Sequence, residues 1–485
     1  MTRSTRILWA FPWAAAAVLA ACAQDTTAPG RTAAAPQFAM AAGADSYIVA
    51  FKGNGVPAGF AAQVAALGGT VTSLHAGAGL AAVSGLSDAA AAQLAAVKDV
   101  SEVQPDALIS LDVRLAAADG GTADDAVASQ SNPTTAARYS WQWNMRSIHA
   151  NTAWAAGKLG SAGVTVAILD TGIDYDDPDL NGLVDLSRSA SFIASDDSLT
   201  ATYFPTRNLI SDYHGHGTNV ASQVSSKAFA LAGVTSKTTL IGVKVLSAQG
   251  SGPLSAILNG VLWAADHGAD VANMSLGGGF VKAGNGRYVG LINRTFTYAA
   301  RQGMLVVVAA GNGSTDLDHD GNALPTYCGV PTVVCVSAVG PTTWTGNPDA
   351  FAYYSNFGRS AISVAGPGGN ADAANGFTVS AWPWGNDIAS WVWSYCSKTQ
   401  LVFAANGIPS RTVCLYGNRL TGYIGTSQAT PHVAGLAALV IAETGKGNPS
   451  QVKARIQQSA DDLGQPGTDP FYGRGRINVA RALGL

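Results

Sequence analysis

The chain has 485 residues, of which 47% are hydrophobic and 12% charged, and its formal net charge is −3. That length accommodates two or three domains, or one large domain with appendages. The near-neutral balance gives no sign of a nucleic-acid partner, and 56 glycines point to tight turns and close packing of small residues.

The first segment, "MTRSTR", is short and basic, and "ILWAFPWAAAAVLAA" after it is apolar. That apolar run is brief and broken by Pro12, so residues 1–22 read as a secretory signal rather than a membrane span. It closes on "LAAC" (Leu19 to Cys22), which resembles the lipobox of bacterial lipoproteins and would make Cys22 an acylation site. The alternative is ordinary cleavage after the small run Ala21-Cys22-Ala23. No other stretch reaches ~18 uninterrupted apolar residues, so membrane attachment is expected only through such a lipid anchor. The expected location is secreted, or the cell envelope. Residues 23–45 form a low-complexity Ala, Pro and Thr tether.

Residues 46–111 read as one small unit. "SYIVAFK" alternates as a strand, "GFAAQVAAL" repeats as a helix, and "GTVTSLHA" and "GLAAVSGL" are strands. "SDAAAAQLAAV" is a helix capped by Ser87 or Asp88. "VSEVQPDALISLDV" closes the unit as a further strand. The order βαββαβ is the ferredoxin-like pattern. Residues 112–137 then lose periodicity and gather Asp, Ser and Gly, as in an exposed linker.

From about Arg138 to the end at residue 485, apolar strands ("GVTVAILD", "TTLIGVKVL", "ADVANMSL", "MLVVVAAGN", "TVVCVSAVG") alternate with helical stretches ("GTNVASQVSS", "LSAILNGVLWAADHG"). Strands this uniformly apolar predict a parallel sheet covered on both faces, a doubly wound α/β domain. Its active site is expected beyond the carboxyl ends of the strands. Within it, 368–423 is a long segment rich in Trp and Tyr. Setting Cys22 aside, the five cysteines leave Cys328, Cys335, Cys396 and Cys414. An even number in an exported chain predicts two disulfides. Three connectivities are open, and the local pairs Cys328–Cys335 and Cys396–Cys414 are the simplest. There is no C-x-x-C spacing of a zinc site.

Four short motifs bear on chemistry. Asp170 ends a strand in "AILDTGID", where an aspartate often only forms a turn; an aspartic-protease reading would need a second D-[ST]-G, and the chain has none. "DYHGHGTNVAS" sets a histidine at a helix start, where it could serve as a general base oriented by Asp170. "VVVAAGNG" places Asn312 in a glycine turn after a buried strand, suited either to left-handed dihedrals or to stabilising an oxyanion. "GTSQATPHVAG" puts Ser427 at a helix start, where serine is ordinarily a cap. Pro431 fits that helix only in its first turn.

Together, "AILDTGID", "GHGTNVAS", "AAGNG" and "GTSQATPHVAG", in that order, resemble the subtilisin-like serine proteases, or subtilases. The resemblance spans roughly 138–485, and 46–111 resembles the family's N-terminal prodomain. It implies a subtilisin-like fold and a triad of Ser427 as nucleophile, His216 as its base and Asp170 as orienting acid. His216 is preferred to His214 because Gly-Thr and the helix follow it. Asn312 and the backbone N–H of Ser427 would hold the oxyanion. Gly250, Ser251 and Gly252, with "SLGG" (275–278), would clamp extended substrate as added strands. Ser275, Leu276 and Gly277, facing Ala309, Ala310 and Gly311, would wall the pocket for the side chain before the cut. These walls carry no charge, so apolar or neutral side chains are expected there.

The resemblance further implies polypeptide substrates, a monomer, chemistry without a cofactor, and 46–111 as an intramolecular inhibitor released by cleavage within 112–137. Gln428 stands where known members carry an oxidisable methionine beside the nucleophile, so peroxide tolerance is expected. Asn219 replaces a second histidine. Asp179 aligns with a family calcium ligand, but "SSKAFALAG" lacks the Asn that completes that site. "DLDHDGN" offers Asp316, Asp318 and Asp320 as candidate ligands of a structural Ca²⁺, with Tyr327 where the twelfth-position Glu would stand; a solvated acidic turn is the alternative. Two rival functions share the scaffold: a surface-anchored, non-catalytic peptide-binding protein, and a subtilase-fold peptide ligase.

Overall fold

Strand Thr165–Asp170 is buried at all six positions and has a parallel strand on each side. The computed structural model describes residues 45–485 apart from 54, 112–117, 278, 320–322, 326, 343–345, 372–389 and 405–406. The expected signal, Cys22, the tether, Asp320 and much of 368–423 therefore lie outside the described residues. All described residues fall within one compact unit, Ala35–Leu485.

Seven parallel strands make the main sheet, in the order Val364–Pro367, Val333–Val339, Leu305–Ala309, Val271–Met274, Thr165–Asp170, Thr239–Lys244 and Ala190–Ser191. Five of these were expected from apolar runs. The two edge strands were not, being only four and two residues long. Helices His216–Val224 and Thr426–Thr444 share one apolar cluster, and Leu254–Asp266 contributes to another with residues of Lys282–Arg301. The sheet is thus a doubly wound α/β layer, as expected. Pairs Cys328–Cys335 and Cys396–Cys414 are bonded as disulfides.

The small unit forms a four-stranded antiparallel sheet in the order Thr70–His75, Leu80–Ser84, Ser46–Phe51, Val100–Pro105. Helices Phe60–Ala66 and Asp88–Ala95 complete the βαββαβ order. Ser87, not Asp88, is the cap, its Oγ accepting the N–H of Ala90 at 3.2 Å. The closing strand expected over "VSEVQPDALISLDV" is in fact two. Val100–Pro105 stays in the small sheet, while Leu108–Ser110 pairs antiparallel with Ser251–Pro253 of the large domain. Asp106 makes the break, because its carboxylate accepts from the N–H (2.9 Å) and hydroxyl of Ser255, capping helix Leu254–Asp266.

One further expectation needs correction. Residues 112–137 are not uniformly an exposed linker: Ala118–Thr122 is a strand paired with Arg419–Tyr423, and Ala123 is buried. The described part of 368–423 is built into the large domain. Strand Val392–Tyr395 pairs with Arg419–Tyr423, and its residues Trp393 and Tyr395 join the main core.

Candidate active site

Asp170 is the last residue of the central strand, and its side chain is fully buried. Its Oδ1 accepts the N–H of Thr171 and faces His216 Nδ1, each at 2.8 Å. His216 opens helix His216–Val224 behind Gly215, whose φ of 94° lies where glycine alone is unstrained. The approach depends on Gly217 as well. A Cβ there would stand 2.1 Å from the Gly172 carbonyl oxygen and 3.2 Å from Asp170 Cβ, so only glycine lets helix and strand meet.

Burial pushes the His216 imidazole towards neutrality, but the charge and hydrogen bond of Asp170, with the charge of Asp212, outweigh it. The net displacement is above the ordinary histidine value. His214 goes the other way. Burial and the neighbouring His216 lower it, and its ring sits edge-on 6.2 Å from that of His216.

Ser427 is the second residue of helix Thr426–Thr444. Pro431 is the sixth residue, beyond the first turn where the sequence placed it. Its missing N–H would have bonded the Ser427 carbonyl, four residues back. Ser275 Oγ fills that vacancy, donating to Ser427 O at 2.6 Å, and Ser427 Oγ donates to Ser275 O at 3.0 Å. In this arrangement the Ser427 hydroxyl faces the Ser275 carbonyl.

Asn312 follows strand Leu305–Ala309, and its Oδ1 accepts both the N–H (2.9 Å) and the hydroxyl (2.8 Å) of Thr426. One amide thus ties its turn to the residue before Ser427, leaving Nδ2 as the donating end. Gly311 N–H donates to Thr426 Oγ1, and Asn356 braces the turn by donating to Ala310 O and accepting from Gly313 and Thr315.

Gly250, Ser251 and Gly252 edge the cleft, holding residues 108–111 of the chain itself. Ser251 to Pro253 pair with Ser110 to Leu108, and Leu111 N–H donates to Gly250 O at 2.8 Å. A Cβ on Gly252 would meet Val245 O at 2.0 Å, which makes glycine obligatory. Ser275, Leu276 and Gly277 lie opposite Ala309, Ala310 and Gly311, close enough that a Gly277 Cβ would be 3.7 Å from Ala309 O. Gly278 lies outside the described residues.

Asp212 escaped sequence reasoning, yet it organises the histidine turn. Its carboxylate accepts from the N–H groups of His214, Gly215 and Thr218 and from the hydroxyls of Thr171 and Thr218. The only signal available was an aspartate shortly before a helix start.

Of the carboxylates considered for calcium, Asp316, Asp318 and Asp179 are engaged by the chain's own donors, and Asp320 lies outside the described residues. Asp316 accepts from Asp318 N–H and His319, and Asp318 from the N–H and hydroxyl of Ser360. Asp179 accepts three backbone N–H groups, from Phe229, Ala230 and Leu231, and burial raises it to about 7 despite them. Among the described residues, no three His, Cys, Asp or Glu side chains gather as metal ligands.

Residues 161–475 match the Peptidase_S8 domain, the Subtilase family. The chain belongs to the subtilase family of serine proteases. Thermitase of Thermoactinomyces vulgaris is 30% identical over 346 residues, covering 70% of this chain and 95% of thermitase. The thermophilic serine proteinase of Bacillus sp. (strain AK1) is also 30% identical, over 71% of this chain and 67% of its own length. In fold, this subtilase is similar to the epidermin leader peptide processing serine protease of Staphylococcus aureus, with a TM-score of 0.67, 22% identity, and coverage of 90% and 97%. A lanthipeptide protease structure gives a TM-score of 0.55 at 25% identity, covering 76% of this subtilase and 98% of that chain.

Two outcomes follow from the site. Asp212→Ala strands several buried donors, so urea unfolding should show a loss of about 3 kcal/mol; an unchanged midpoint contradicts the role given to Asp212. Gln428 is 1% exposed with its amide on Asn219, and Met145, Met274 and Met304 are buried. Activity should therefore survive dilute peroxide, whereas rapid loss that thiol reductants do not restore contradicts it.

Proposed function

We propose that the chain is a secreted or envelope-attached serine endopeptidase, made as a self-processing zymogen and acting as a monomer without a cofactor. The hydrogen bond between Asp170 and His216, beside a serine at a helix start and a cleft already holding an extended strand, carries this reading.

Ser427 Oγ attacks the carbonyl carbon of the scissile peptide, and its proton passes to His216 Nε2. The imidazolium that forms is stabilised by buried Asp170. The tetrahedral oxyanion is met by the Ser427 N–H at the start of its helix and by Asn312 Nδ2. His216 then protonates the leaving amine, giving an ester on Ser427. Water, deprotonated by His216, attacks that ester and releases the second product. The uncharged walls around Leu276 and Ala310 favour a neutral side chain before the cut.

The zymogen reading rests on residues 108–111, which occupy the substrate position on Ser251–Pro253. The chain then returns at Ala118 to pair with Gly422, five residues before Ser427. With both of these flanks held by the large domain, cleavage in cis is expected within 112–137. A template suits this sheet, because long-range parallel pairing is slow to form.

Neutral His216 is the working base, so raising its pKa moves the acid limb of activity upwards. The midpoint of kcat/KM on the acid side should lie above the ordinary value of about 6.5. Asn312→Ala should lower kcat by about 10²–10³ with little change in KM. An acid limb at or below the ordinary value, or an Asn312→Ala enzyme of full kcat, contradicts these roles.

A further inference from the structure

Two segments of the chain before residue 138 dock on the large domain, and they differ in independence. Residues 46–111 attach through an apolar face, where Ile48, Ala50, Leu80 and Ile109 share a cluster with Leu254, Tyr288 and Ile292, and through polar contacts and one strand pairing. Asp106 caps a helix, Tyr288 donates to Pro105 O, Arg294 donates to Phe51 O and Gly79 O, and His75 meets Asp266. The small unit keeps a core of its own, formed by Phe51, Phe60, Val64, Leu86 and Leu94.

Residues 118–126 have no such independence. Ala118–Thr122 is the outer strand of a three-stranded sheet, on Arg419–Tyr423, which in turn pairs with Val392–Tyr395. Gly120 lies so close that a Cβ would stand 2.8 Å from Trp393 Cζ3 and 2.9 Å from Leu420 Cβ. Ala123 is 1% exposed and belongs to the main core, with Trp391, Trp393, Tyr395 and Leu420. Ala123 N–H donates to Asn418 O, Asn418 N–H donates to Asp124, and Arg138 binds both Thr122 O and Asp125. Removing this segment would uncover aromatic core and strip Arg419–Tyr423 of its outer hydrogen-bonding partner.

Strand Arg419–Tyr423 leads through Ile424 and Gly425 directly into Thr426 and Ser427. Its last residue, Tyr423, has its ring 6.3 Å from that of His216 and its hydroxyl beside Gly215. We propose that residues 118–126 remain in the mature enzyme as the edge strand that positions the segment delivering Ser427, and that the maturation cut lies upstream of Ala118. The residues of this strand are positioning residues: they act on Ser427 and His216 through Arg419–Tyr423. The proposal rests on the self-processing reading above and narrows its 112–137 window.

The test takes the full chain, wild type beside Ser427→Ala and Gly120→Val. Intact mass and N-terminal sequencing of the matured wild type should place its first residue at or before Ala118. A fully active enzyme beginning after Thr122 overturns the proposal. Gly120→Val, which forces the strand off Trp393, should lower kcat roughly 10-fold or more while KM changes little, because 250–252 and 275–277 are untouched. Unchanged kcat in a Gly120→Val enzyme that retains the strand overturns the positioning role, as does a rise in KM alone. Trimming of Ser427→Ala to the same product would sink self-processing, yet the new N-terminus would still decide retention. If wild type is not trimmed at all, self-processing falls, and the Gly120→Val kinetics decide the strand's role.

Discussion

The site depends on an amide hydrogen that is not there. Pro431 sits in the second turn of helix Thr426–Thr444 and cannot bond the carbonyl of Ser427, so that acceptor would be buried and unmet. Ser275 satisfies it, and Ser427 in turn donates to Ser275 O. This reciprocal pair ties the helix that carries Ser427 to the segment 275–277. Asn273 donates to Ser275 Oγ, which carries the tie down to the strand Val271–Met274 beside the one ending in Asp170. Asn312 adds a second tie from the next strand, through Thr426. Two neighbouring strand ends thereby fix the start of one helix, and a third, at Asp170, fixes the histidine.

Close backbone approach recurs around these ties. Gly217 and Gly252 each sit where a Cβ would be about as near to a carbonyl oxygen as a covalent neighbour, 2.1 and 2.0 Å. One brings the His216 helix onto the Asp170 strand, and the other lets the segment 251–253 close onto Val245. Asp212 complements them by gathering five donors around the histidine turn, so that the imidazole is held from its backbone as well as from Asp170. The same economy governs the flanking chain. Residues 46–111 carry their own core and borrow a strand position, whereas 118–126 are built into the core of the large domain.

Much of this was legible in the sequence, for identifiable reasons. Asp170, His216, Asn312 and Ser427 stand in short motifs whose glycines are required by contact, so the pattern survives reading without coordinates. The central strands announced themselves through unbroken apolar runs such as Leu305–Ala309. Helix Lys282–Arg301 did not, because Gly284, Gly286 and Gly290 interrupt its periodicity. Leu108–Ser110 was merged with Val100–Pro105, since alternation records that a segment is extended but not which sheet it joins. Ala118–Thr122 was missed because a strand of Ala, Asp, Gly, Gly and Thr has no apolar alternation; its fit comes from the Trp393 surface it lies on. Asp212 was invisible because three of its five donors are backbone N–H groups and the other two are hydroxyls of threonines that no spacing pairs with it.

The most direct measurement is fluorophosphonate labelling of the matured enzyme, read by intact mass and peptide mapping across pH. The account predicts one phosphonyl adduct, on the peptide carrying Ser427, forming more slowly as pH falls through the raised pKa of His216. No adduct, an adduct on another residue, or a labelling rate independent of pH across that range would contradict it.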